Sequence, residues 1–164
     1  MVKIKWCSGI FIVSVLICIL TGCEQKNERI KVPEDALTKL FTVSDYSLAH
    51  VNERSEYENA LENTYEAYFT PDAFSNFVAD RVAARYVTLA EKEEVFISVN
   101  DVELTKTQEE NNHISYDFKV DLVLNNTKTG KEIFKSQTGQ LTVTTEEEKA
   151  KISRLYIAPD NLYQ

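Results

Sequence analysis

The chain has 164 residues, with 26 acidic against 18 basic side chains, a net charge of −8 and 43% apolar residues. That acidity sets it apart from nucleic-acid binders and from proteins held on anionic lipid by basic patches, both of which depend on clustered Lys and Arg. Its length suits one domain, which at this size buries about two thirds of the surface that the unfolded chain exposes.

Lys3 and Lys5 precede an apolar run from Ile10 to Leu20, in which only Ser14 is polar, and small residues then lead to Cys23. This is a signal-peptide layout. The apolar core is shorter than the ~20 residues that span a bilayer, and Glu24, Gln25 and Lys26 follow it at once. Leu20-Thr21-Gly22-Cys23 resembles the lipobox of bacterial lipoproteins, which implies cleavage before Cys23 and a diacylglyceryl group on its thiol. Residues 1–22 are therefore expected to be removed. They contain two lysines and no acid, so the remainder carries −10. Cys7 and Cys18 leave with them, so no thiol is left for a disulfide or a Cys-based zinc site. Two or more acyl chains give a stable anchor, each buried CH₂ contributing about 0.8 kcal/mol. Residues 23–32 make a polar tether with no apolar period, reaching on the order of 18 Å. The domain itself is expected over 33–164.

Pro33 suits a first helical turn, Glu34 and Asp35 complement the dipole there, and Ala36, Leu37, Leu40 and Phe41 recur at helical spacing. Ser44 is placed to cap a further turn containing Tyr46 and Leu48. Ser55 and Glu58 fit a capping box, which starts a helix with Tyr57, Leu61, Thr64 and Tyr68 on one face and Tyr65 on its flank. Thr70-Pro71 is a cap followed by proline at the first helical position, and a third helix is predicted from there to about residue 90. It carries Phe74, Phe77, Val78, Val82 and Leu89.

From Val95 the period becomes two, with a slip near Asn100-Asp101 that predicts a bulge before Val102 and Leu104. Tyr116, Phe118, Val120, Leu122 and Leu124 alternate with Asp117, Lys119 and Asp121, as in a strand with one dry and one wet face. Asn125 to Gly130 turns the chain. A long strand follows from Glu132 to Thr145 with Gly139 as a bend, then a turn at Glu146-Glu147-Glu148 and a last strand from Lys151 to Ala158. The fold class is α+β, with N-terminal helices packed on a strongly curved antiparallel sheet.

That order resembles the cystatin-like roll of nuclear-transport-factor-like (SnoaL-like) proteins over about Pro33 to Ala158. The runs Leu40-Phe41-Thr42-Val43, Tyr68-Phe69-Thr70-Pro71-Asp72-Ala73-Phe74 and Gly139-Gln140-Leu141 are similar to those in lipoproteins of Gram-positive bacteria. The resemblance implies a curved sheet wrapping a helix around a cone-shaped pocket, with the other sheet face often used for dimerisation. The same fold serves enzymes, carriers and interaction domains.

Beyond Cys23, few residues point to chemistry. No phosphate-binding glycine loop, HExxH, CxxC pair or GxSxG elbow occurs after residue 22, and no metal or cofactor is expected. His50 and His113 fall in polar connections, as solvated residues do. Asp117, Lys119 and Asp121 form either a solvated ladder or, if that face lined a pocket, a source of a general base. At about 100° per residue, Arg81 and Arg85 lie within about 20° of Phe74, inside an apolar stripe. There they would pair with carboxylates, snorkel past a sheet edge or grip an anionic ligand. Tyr57, Tyr65 and Tyr68 form either a core stripe or an aromatic face for a ligand.

The reading is a lipid-anchored extracytoplasmic binding or interaction module, joined to the membrane through Cys23, with a homodimer or an envelope protein as partner and no nucleic acid. An enzyme with a pocket acid–base pair and a scaffold of an envelope assembly are the alternatives. An enzyme predicts a carboxylate or histidine buried beside a polar partner, a binding module predicts an apolar cavity with few titratable groups, and a scaffold predicts a filled interior with a flat apolar patch on the open sheet face.

Overall fold

The computed structural model describes residues 28–146 and 148–159; the expected signal segment, Cys23 and the first part of the tether lie outside them. Four strands, β1 (Val95–Glu110), β2 (His113–Asn126), β3 (Glu132–Glu146) and β4 (Lys149–Ile157), form one antiparallel sheet in the order β1-β2-β3-β4. Among the described residues the helices are α1 over 28–41, α2 (Arg54–Tyr65), α3 (Pro71–Ala79) and α4 (Val82–Lys92), with short 3₁₀ turns at Ser47–His50 and Glu66–Tyr68. This is the α+β roll that the order of periods predicts.

Alternation decides which face of the sheet is dry. In β2, Ile114, Tyr116, Phe118, Val120, Leu122 and Leu124 are buried, while Asp117 and Lys119 between them are exposed. The register carries the inner face onto Leu141 and Val143 of β3, opposite Tyr116 and Ile114, and onto Leu155 of β4, opposite Leu141. The expected slip in β1 is a bulge between Val99 and Asp101, and a second lies between Lys106 and Gln108. Against this face pack Leu37, Leu40 and Phe41 of α1, Tyr57 and Leu61 of α2, Phe77 and Val78 of α3 and Tyr86 of α4, all buried. Phe41 meets Tyr86 edge-on at 4.8 Å and Phe118 at 6.4 Å.

Gly139 faces Phe118 across β2 and β3. A Cβ there would lie 2.7 Å from Phe118 Cε1 and overlap both the end of that ring and the carbonyl of Tyr156. The missing side chain lets the ring lie against the backbone, which closes the curved sheet over the helices.

Four local expectations are corrected. Residues 28–32 are helical, so the tether ends earlier and Pro33 lies inside α1. Arg29 explains why the helix persists: it donates to Thr145 Oγ1 at 3.0 and 3.2 Å and lies 3.8 Å from Glu109. Val32 packs on the core, and these contacts offset the helical hydrogen bond that proline cannot donate. Asp45, not Ser44, organises the next turn, accepting from Ser47 N–H at 2.9 Å. Ser55 lies inside α2, whose N-cap is Glu53 and which has no side-chain cap. The third helix is two helices, broken at Asp80 and Arg81, where Arg81 takes a left-handed φ of 49°. Thr70 does cap α3, accepting from Ala73 N–H at 3.4 Å with Pro71 at the first position.

Replacing Gly139 with alanine is expected to cost about 1–3 kcal/mol through overpacking. Urea unfolding will read this as a lower midpoint at unchanged slope.

Candidate functional site

The break between α3 and α4 determines where the sequence-predicted residues go. A left-handed Arg81 turns the chain, so the wheel that aligned Arg81 and Arg85 with Phe74 does not run through. Arg81 is half-buried and its guanidinium lies 4.3 Å from the centre of the Tyr57 ring, while its Nη2 donates to the Val51 carbonyl. Beneath it the Tyr57 hydroxyl accepts from Ala84 N–H at 3.2 Å. Ala84 is in the first turn of α4, whose N-cap, Arg81, makes no side-chain cap bond. A tyrosine from α2 therefore caps α4, satisfying one of the free donors every helix start exposes. A cation at a helix N-terminus is electrostatically unfavourable. The aromatic face and the Val51 carbonyl compensate it.

Arg85 goes elsewhere. It is exposed, 5.4 Å from the Tyr86 ring centre, on the rim of a groove between α3, α4 and β4. Tyr68 is half-buried and sits 5.8 Å from the Lys39 ammonium. The four candidate ligand residues thus divide: Tyr57 and Arg81 meet in one structural contact, and Arg85 and Tyr68 have separate surroundings. Tyr57, Leu61 and Tyr65 are the buried face of α2, Thr64 on its flank is half-buried, and Tyr68 lies beyond the helix end at Tyr65 and is half-buried too.

Burial is the main cause that raises Tyr57 above the usual phenol range, with the Ala84 N–H and Arg81 opposing it. Tyr65, which donates to the Lys39 carbonyl at 3.1 Å, is pushed up to about 12, first by burial and then by Tyr57 and Tyr68.

Acid–base groups stay on the surface. Among the described residues no Asp, Glu or His is buried, and no three His, Cys, Asp or Glu side chains converge as a metal site would require. His50 is exposed and its Nε2 lies 2.9 Å from Glu91. His113 opens β2 and is exposed. Asp117, Lys119 and Asp121 form the solvated ladder: Lys119 bonds Asp121 at 2.8 Å, Ser136 donates to Asp121 at 2.6 Å and Gln140 to Asp117 at 2.8 Å. The hydrogen bond from Lys119, then that from Ser136, holds Asp121 below the usual carboxylate range.

The sequence reading missed Gln137, a buried polar residue on the inner face of β3. Its amide donates to the carbonyls of Thr138 and Ala158 at 3.1 and 3.0 Å, pinning the end of β4. Its odd-numbered position in the Glu132–Thr145 alternation was the available signal.

The open sheet face has two regions. One is apolar: Phe134, 71% exposed, is opposite Val123, and Phe96, 42% exposed, lies two residues along β1 from Val123's other partner, Ser98. The Tyr46 ring covers part of Phe96 at 5.4 Å. The other region is polar, with grooves of ≈ 440 Å³ over Thr107, Ser115, Gln140 and Arg154 and of ≈ 540 Å³ over Glu103, Asp117, Lys119 and Thr138. Tyr156 borders both of these and a third groove of ≈ 440 Å³ against α3 and α4.

No protein family and no curated protein matches the sequence. Among solved structures the fold is similar to that of an IcmL-like type IV secretion system protein from Legionella pneumophila, with 14% identity and a TM-score of 0.55 over 79% of this chain and 88% of that one. The periplasmic domain of DotI has 11% identity and a TM-score of 0.49 over 79% and 92%. An Ntf2-like protein involved in plasmid conjugation has 13% identity and a TM-score of 0.32 over 65% and 48%. At such identities the first likeness is one of fold, and the other two carry no argument.

Two measurements check this geometry. Tyr57→Phe leaves the Ala84 N–H without its partner and is expected to cost about 1–2 kcal/mol in denaturant unfolding. Tyr65 loses its proton near pH ~10 when unfolded but only at about 12 when folded. Its contribution is thus complete below about pH 10 and is lost as pH rises through 12, because the unfolded chain then holds fewer protons. Unfolding titrations from neutral to alkaline pH should show this fall, and Tyr65→Phe should flatten it.

Proposed function

We propose that this chain is a lipid-anchored extracytoplasmic protein that works by holding other proteins, as an interaction module of a cell-envelope assembly. The observation that supports this most is the filled interior. Phe41, Tyr86 and Phe118 occupy the space between helices and sheet, each at most 3% exposed, and no acid or histidine is buried among the described residues. A catalyst of this architecture that relied on a carboxylate or histidine would need it at substrate inside the pocket, and the described ones are exposed or half-buried. The outward side is better suited to contact, since Phe96, Val123 and Phe134 present apolar surface on a rigid sheet. The likeness in fold to a type IV secretion system protein is compatible with this role.

The address rests on sequence. A cleaved apolar segment and Leu20-Thr21-Gly22-Cys23 support attachment through the Cys23 thiol. Among the described residues no helix is long and apolar enough to cross a membrane. With α1 covering residue 28, at most a few residues separate that thiol from the folded domain. The domain then works against the membrane surface, and its envelope partners must approach there.

Expression of the full chain in a Gram-positive host tests both halves. Labelled palmitate should enter the wild-type protein, whereas Cys23→Ser should remain unlabelled and pass from the membrane fraction to the medium. Native mass spectrometry of the full chain in detergent should show protein and lipid mass alone. A co-purified small molecule would overturn the interaction reading in favour of a ligand-binding or catalytic one.

A further inference from the structure

The fourth strand is one of the two edges of the sheet. Phe69 bridges Ile152 in parallel, and Thr70 N–H donates to the Ile152 carbonyl at 3.0 Å. At Pro71 the chain turns into α3 and leaves the edge. Beyond that point a groove of ≈ 440 Å³ lies between β4 and the α3–α4 break. Ala158 N–H bonds Thr138 O at 3.0 Å. By the alternation of an antiparallel ladder, the backbone groups of Tyr156 and Arg154 then point to β3, and those of Leu155 and Ile157 point into the groove. Among the described residues, no other element supplies them with a hydrogen bond.

We propose that this edge accepts an extended segment of a partner protein as a fifth strand, with apolar residues facing the α3–α4 side and acidic residues facing Arg154. Strand addition of this kind takes its affinity from main-chain bonds and its specificity from alternate side chains. On the inner side, the added residues meet Ala73, Phe77, Val82 and the half-buried Leu155 and Ile157. On the outer side they meet Arg154 and Tyr156, the latter 52% exposed. Arg85 and Arg154 both border the groove and form no salt bridge with a described residue, while Asp80 is the acid beside them. In a chain of net charge −8 this is a locally basic edge. It suits an acidic strand, and the repulsion between two such chains opposes a second copy in that place. The β1 edge is less suited, because two bulges interrupt it, against one in β4 at Ser153, before Leu155 and Ile157, and Asp101, Glu103 and Lys106 stand along it, devices that keep edges from pairing.

This proposal rests on the interaction-module reading, and its test separates the two. The probe is a short acetylated, amidated peptide of alternating valine and glutamate, titrated into isotope-labelled full chain in detergent micelles. Expected are shifts of the Leu155 and Ile157 amide signals and roughly tenfold slower hydrogen exchange at both. Arg154→Glu, at an exposed site, should weaken binding about fivefold. The same peptide with lysine for glutamate, or with alternate backbone nitrogens methylated, should not bind. Shifts confined to Asp117 and its neighbours, equal binding of the lysine or methylated peptide, no binding at all, or a peptide-independent dimer protecting Leu155 and Ile157 would each overturn edge docking. A lipidated chain free of small molecules that fails to bind the peptide loses this proposal alone and keeps its role as an interaction module.

Discussion

An absent side chain sets the shape of this protein. Because Gly139 has no Cβ, the Phe118 ring lies against the backbone of β3, and the sheet can curve there without tearing its ladder. Phe118 in turn reaches Phe41, and Phe41 reaches Tyr86, so α1, α4 and the sheet meet in one aromatic cluster. Close packing of this kind leaves little tolerance for added volume. The same bend brings Tyr156 of β4 over Gly139, so the strand that borders all three grooves is positioned by that contact as well.

The packed core is tied together by contacts between its own elements. The hydroxyl of Tyr57 caps α4, and the guanidinium of Arg81 lies on the Tyr57 ring and donates to the Val51 carbonyl. These contacts join α2, the connection before it and the start of α4 without a carboxylate. The acids remain on the surface, where water screens them, and the rigid sheet presents its apolar and polar regions side by side.

The sequence made the strands legible because period two is a local signal and each strand has one wet face. The β1 bulge was visible as a slip in that period, and the Thr70-Pro71 cap and Gly139 through residue types with a local preference. The α3–α4 break was not. Nothing in Asp80-Arg81 is a helix breaker, and a left-handed arginine exists only because Tyr57, 24 residues earlier, supplies the cap and an aromatic face for the charge. A helical wheel cannot register that tertiary override, so Arg81 and Arg85 looked like neighbours on one stripe. Likewise the helicity of 28–32 depends on Arg29 reaching Thr145, a contact across 116 positions that no window contains. The edge groove was invisible for a similar reason, since it requires the chain to leave Ile152 at Pro71.

The order β1-β2-β3-β4 means that each strand pairs with its neighbour in sequence. Such a sheet can form hairpin by hairpin, with little loop entropy lost before each ladder bond is gained. The contact between Arg29 and Thr145 is of the opposite kind, closing a loop across 116 positions. A chain synthesised from its N-terminus therefore has its first helix waiting for its last strands. Until they arrive, Leu37, Leu40 and Phe41 lack the sheet that buries them, and that interval is when the young protein most needs a chaperone's cover.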